Sequence, residues 1–138
     1  MTFNPKESID FNGNTGPFIQ YTYARIKSVQ RKAAEKNIKT LNEPNTIFEP
    51  NEKEIKLIKI LAGFPGVILD AGIQMTTAVV ANYCYELTKG FNRFYHDFSI
   101  LNVDGDETRN FRLQLSEVIG RVIEKSMELL GVEVPERM

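Results

Sequence analysis

Apolar residues return every three or four positions through most of this chain, the spacing that lines one face of a helix. The first run begins at Thr15, Gly16 and Pro17, where a proline just inside the first turn gives up a donor that would be unpaired anyway. It continues to about Asn37, with Ile19, Tyr23, Ile26, Val29 and Ala33 on one face. Residues 38–50 hold Pro44 and Pro50 and little apolar periodicity, which predicts a loop at the long end for a compact domain. Asn51 followed by Glu54 has the spacing of a capping box, opening a short helix with Ile55, Ile58 and Leu61 inward and a stop at Gly63. Phe64, Pro65 and Gly66 lead into a weaker helical turn ending near Gly72. Val80, Tyr83, Leu87, Phe91 and Phe94 predict a helix from about Thr76 to His96. A turn over Ser99–Gly105 follows, with Asp104 or Asp106 to cap the last helix. That helix runs to about Leu130, where Gly131 supplies the stop. In it Phe111, Leu115, Val118 and Val122 form one row, with Ile119, Ile123 and Leu130 beside it. No alternating apolar run predicts a strand, and no internal repeat is present. The expected fold is all-α, a bundle of about four to five helices over residues 15–138, with residues 1–14 as an irregular lead-in.

The chain has 138 residues, enough for one core that buries roughly two thirds of the unfolded surface without a staple. Hydrophobic residues at 42 % and charged residues at 25 % exclude a disordered tail. No stretch approaches ~20 apolar residues and the first residues lack a signal peptide's basic and apolar regions, so no membrane association is expected. The single cysteine, Cys84, cannot form an internal disulfide, in agreement with a reducing compartment. A net charge of −1 supplies no global field for a polyanion, so nucleic-acid binding would need a local basic face.

Candidate chemistry is sparse. One histidine and one cysteine offer none of the paired spacings of a metal site. Asp104, Asp106 and Glu107 read either as a hard-cation site or, more economically, as a solvated turn and helix cap. His96 beside Asp97 reads as a helix-end histidine rather than a catalytic base. Gly13 and Gly16 lack the lysine and spacing of a phosphate loop. The first long helix carries more. At 100° per residue Phe18, Tyr21, Arg25 and Lys32 fall within about 60° of one another, flanking the apolar face. From Tyr21 to Lys39 there are six basic residues against one acid, Glu35. Rings interleaved with cations suit unpaired bases and phosphates. A solvated basic face with rings filling the bundle fits the same pattern. Tyr83, Tyr85, Phe91, Phe94 and Tyr95 are ambiguous in the same way.

Three segments also carry a family resemblance. Gly16-Pro-Phe-Ile-Gln-Tyr-Thr-Tyr-Ala-Arg25 resembles the Gly-Pro-Tyr-Leu-Gln-Tyr-Ala-His-Ala-Arg element opening the C-terminal, DALR-type anticodon-binding domain of arginyl-tRNA synthetases. Tyr85-Glu-Leu-Thr-Lys-Gly-Phe-Asn-Arg-Phe-Tyr-His96 resembles that domain's Glu-Leu, Phe-Asn and Phe-Tyr-His helix. The ending Leu129-Leu-Gly-Val-Glu-Val-Pro-Glu-Arg-Met138 is similar to the family's Leu-Leu-Gly and Pro-Glu-Arg-Met. The matches stand in the family's order and span the chain from Gly13 onward.

The resemblance implies an all-α module that binds the anticodon loop of arginine tRNA. It further implies that ATP and arginine are handled by a separate catalytic domain, since no His-Ile-Gly-His or Lys-Met-Ser-Lys-like motif occurs here. The chain is then no enzyme by itself and needs no cofactor. Its partners are arginine tRNA and that catalytic domain, in the cytoplasm. Carried over residue by residue, the family's contacts fall on Phe18 (tyrosine in many relatives), Arg25, Arg31, Tyr95 and Met138. Asn92 and Gln20 are secondary candidates, and Tyr23 stands where relatives often have histidine. The alternative is a helical bundle that binds protein and has no RNA role.

Overall fold

The computed structural model describes residues 5–8, 14–38 and 48–138. Six helical segments follow in order: α1 (Pro5–Ser8), α2 (Gly16–Glu35), α3 (Glu52–Ala62), α4 (Phe64–Gln74), α5 (Ala78–Asp97) and α6 (Asp106–Leu129). No strand occurs among the described residues, and the chain is all-α. The predicted lead-in contains the single helical turn α1. Most of the predicted loop at 38–50, including Pro44, lies outside the described residues.

Local signals set most helix ends. The Thr15 hydroxyl accepts from Phe18 N at 3.3 Å, and the left-handed Asn37 (φ 53°) ends α2. At α3 the capping box is complete: Asn51 Oδ1 accepts from Lys53 N and Glu54 N, and Glu54 Oε2 accepts from Asn51 N at 2.8 Å. Met75, with φ 50°, closes α4, which is an 11-residue helix rather than the weak turn expected. Neither Asp104 nor Asp106 caps α6. Gly105 holds that place with φ 95° and no side-chain cap, while the Asp106 carboxylate pairs with Arg109. A conformation with positive φ suits glycine, which has no Cβ to clash.

The core lies where α2, α5 and α6 meet. Tyr23, Ile26 and Val29 pack with Cys84, Leu87, Phe91 and Phe94, and with Leu113, Ile119, Ile123 and Met127. Gly120 lets α2 approach α6 closely, because a Cβ there would lie 3.1 Å from Ile26 Cγ2. Burial pushes the Cys84 thiol up to about 11, against the pull of Thr88 and Ser126. Buried hydroxyls of Thr88, Ser116 and Ser126 donate to carbonyls one turn earlier, so the apolar interior carries no unpaired hydroxyl there.

Three inward assignments change. Ile55 and Ile58 of α3 face outward, and Glu54 with Leu57 is buried instead. Val118 of α6 is likewise exposed, whereas Ser116 and Gly120 are buried. The reason for the first is Arg112 of α6, whose Nε donates to Glu54 Oε1 at 2.7 Å. Arg112 Nη1 also donates to Ser99 O at 2.7 Å, and its guanidinium lies 5.7 and 5.1 Å from the Phe94 and Phe98 ring centres. One buried ion pair thus ties the start of α3 to α6 and to the α5–α6 connector. The expectation that no stretch is long and apolar enough to span a bilayer meets one exception, by length and composition only, at Glu52–Gln74. The stretch is interrupted at Gly63, and no residue of α4 is fully buried, with Leu69 and Ile73 exposed.

Candidate nucleic-acid interface

A groove of about 940 Å³ runs between α2, the end of α5, the connector after it and the C-terminus. The α2 register that buries Ile26 and Val29 turns Tyr21, Arg25, Ser28, Arg31 and Lys32 toward this groove. Tyr95 and His96 of α5, residues 98–102, Arg137 and Met138 complete it. Arg25, Arg31, Lys32, Lys36 and Arg137 supply cationic side chains, and among the described residues no lining side chain is acidic. The sequence places a basic face here; the tertiary fold makes it concave.

Arg25 sits at the centre. Its guanidinium carbon lies 4.9 Å from the Tyr21 ring centre and 5.0 Å from that of Tyr95, within cation–π range of both. Its Nη1 donates to Asn92 Oδ1. Asn92 Nδ2 donates to Thr22 Oγ1 at 2.7 Å and Thr88 O at 3.1 Å. A carbonyl can only accept, so the amide nitrogen must face Thr88 and the amide oxygen must face Arg25. Thr22 in turn donates to Phe18 O at 2.9 Å. The chain of bonds fixes the arginine before any ligand arrives.

The C-terminal tail is strapped to α2. Gln20 Nε2 donates to Glu133 O at 2.7 Å, and Arg31 Nη1 donates to Glu136 O at 3.1 Å. Lys27 Nζ reaches the Glu136 carboxylate at 3.4 Å. Burial draws the Lys27 ammonium down, but Tyr23 and Glu136 outweigh it and leave it above its ordinary value. Two of these three bonds end on backbone carbonyls, so they place the tail whatever its side chains are.

The predicted residues therefore divide. Arg25, Arg31, Tyr95 and Met138 meet in the main groove, although Arg31 also holds the tail. Phe18 and Asn92 line a neighbouring groove of about 310 Å³ with Lys89, Arg93, His96 and Asp97. Phe18 packs on Tyr85, their ring centres 5.8 Å apart, which leaves less of its face for stacking. Gln20 lines neither groove and grips the tail. Tyr21 lies in the ring-and-cation sector of the sequence, one turn before Arg25, but the family resemblance assigns it no contact. Lys27 and the connector at 99–102 gave no local sign of their roles. Tyr83, ambiguous in sequence, is structural: its hydroxyl donates to Ile60 O at 3.0 Å, and burial pushes the phenol up to about 12. His96 contacts Asp97 at 3.1 Å, and Lys53 followed by His96 holds the Asp97 carboxyl below its usual range. Among the described residues no three His, Cys, Asp or Glu side chains converge as a metal site.

The DALR anticodon binding domain family matches residues 19–138. The arginine–tRNA ligase of Parabacteroides distasonis is 56 % identical over 138 residues, all of this chain and 23 % of that protein. The arginine–tRNA ligase of Bacteroides thetaiotaomicron is 54 % identical, again over 100 % of this chain and 23 % of its own length. Among solved structures, Thermus thermophilus arginyl-tRNA synthetase superposes with a TM-score of 0.86 at 29 % identity, over 99 % of this chain and 23 % of that one. The Plasmodium falciparum arginyl-tRNA synthetase gives 0.80 at 28 % identity, over 100 % and 24 %. The chain spans about a quarter of the length of these relatives.

Proposed function

The chain belongs to the DALR anticodon binding domain family, and on that premise we propose that its basic, ring-lined groove receives the anticodon loop of arginine tRNA. Residues 15–138 act as one binding domain of an arginine–tRNA ligase. Activation of arginine by ATP takes place on the remaining part of that enzyme, in the cytoplasm, and this domain carries out no chemistry of its own. Binding here positions the tRNA for that other part.

The observation that carries the reading is Arg25, held by Asn92 between Tyr21 and Tyr95 in a groove with no acidic side chain among its described lining residues. Exposed ring faces stack on unpaired bases, and guanidinium edges pair with phosphate or base edges. Tyr95, Arg31 and Met138 are assigned as further contacts, with Asn92 and Gln20 acting through Arg25 and the tail. Phe18 contributes from the adjoining groove. The experiment is titration of the domain with arginine tRNA and with an anticodon-substituted version across a salt series. Tighter binding of the first, weakening steeply with salt, supports the reading. Equal binding of both, or none, refutes it.

A further inference from the structure

We propose that the bound RNA continues past the main groove across α5, where Lys89 and Arg93 hold its phosphate backbone in the second groove. The proposal rests on the RNA reading above and extends it to a surface outside the ring-lined groove.

The two grooves are successive parts of one seam. Phe18 of α2 packs on Tyr85 of α5, and seven residues on Arg25 meets Asn92, so the helices run side by side in the same sense. His96 lines both grooves, and Asn92 joins them, lining the second while gripping the arginine of the first. From Phe18 to Lys36 the seam follows roughly 27 Å of helix at 1.5 Å per residue. That is longer than one stacked base requires.

The charges in the second groove suit phosphate. The one acid among its described lining residues, Asp97, is already paired with Lys53. Lys89 is partly offset by Glu86 at 3.1 Å and lies 5.4 Å from the Tyr85 ring centre. Arg93 is exposed, and no ion pair of Arg93 is found among the described residues. The second groove thus presents a free guanidinium and a partly compensated ammonium. Phe18 is half-buried against Tyr85 and does not make a two-ring cage like that around Arg25. Cations that contact phosphate fix RNA in place but carry no sequence information.

Arg93→Gln tests this by titration with arginine tRNA and its anticodon-substituted version at several salt concentrations, with Arg25→Ala beside it. Arg93→Gln is expected to leave the melting temperature unchanged and to weaken both RNAs several-fold by the same factor. The slope of log K against log salt should become shallower by about 1. Arg25→Ala should instead erode the preference for the natural anticodon. If Arg93→Gln changes neither affinity nor slope while Arg25→Ala does, the second groove carries no RNA and this proposal fails alone. A loss confined to the natural anticodon would make Arg93 a base reader and also overturns it. If both variants bind as the parent does, the RNA reading fails and takes the proposal with it.

Discussion

Removing the charge of Glu54 while keeping its shape should unsettle both the fold and the groove. In Glu54→Gln the amide oxygen can still accept from Asn51 N, so the helix cap survives. The Arg112 guanidinium, its side chain only 10 % exposed, then loses its counter-charge. Breaking a buried pair by removing one partner costs about 3–5 kcal/mol, because the remaining charge stays desolvated. Domains of this class have about 5–15 kcal/mol in total, so the loss is a large part of the whole. For a chain of this size it corresponds to a melting temperature lower by about 10–20 °C. Glu54→Leu with Arg112→Met removes both charges and should recover most of that stability, less about 1 kcal/mol for the Asn51 N capping bond that leucine cannot accept. The double variant still lacks the Arg112 bond to Ser99 O, so the connector that walls the groove is less firmly held. Calorimetry gives the melting temperatures, and tRNA titration well below the lowest of them gives the affinities. The double variant should bind several-fold more weakly than the parent despite near-parental stability. A Glu54→Gln melting temperature within about 2 °C of the parent would refute the reasoning, since a desolvated unpaired guanidinium cannot be that cheap.

If Asn92 works by holding Arg25, then Asn92→Ala and Arg25→Ala should not add: the double variant should bind tRNA as Arg25→Ala does, within about 0.5 kcal/mol in a double-mutant cycle. Additive losses would mean that Asn92 touches RNA itself. Gln20→Ala should weaken tRNA binding in the intact chain but have no effect once Arg137 and Met138 are deleted, because its bond to Glu133 O acts only by placing the tail end; an equal effect in both backgrounds rejects that role. Cys84 should stay unmodified by thiol reagents in the native protein, and its thiol, raised to about 11 from an ordinary value near 9, ties stability to alkaline pH. The unfolded chain loses this proton first, so the contribution is full below about pH 9 and is lost as pH rises toward 11, by about 2–3 kcal/mol. Melting temperatures from pH 7 to 11 should fall more steeply for the parent than for Cys84→Ala, and parallel curves would count against a buried thiol.

What closes within a few residues is legible in the chain alone. Thr15 and the Asn51–Glu54 box mark helix starts because a cap reaches a backbone donor two or three positions on. The rings and cations of α2 share a face because helical spacing puts Tyr21 one turn before Arg25. The resemblance named the family because its motifs are local strings. The α3 face is where local reasoning stops. Ile55 with Ile58 and Glu54 with Leu57 are equally good helical spacings, and hydrophobicity favours the first pair. Arg112, 58 residues away, decides for the second, since a buried guanidinium demands a carboxylate. The site depends on such choices throughout. Asn92 meets Arg25 across 67 residues, and Arg31 and Gln20 meet the tail across 105 and 113. Each bond needs two helices, or a helix and the tail, at the right rotation and height, and those are set by how all the core side chains of α2, α5 and α6 fill their shared space. Periodicity tells which residues a helix can offer; the packing of its neighbours determines which offers are met, and only the tertiary structure holds that information.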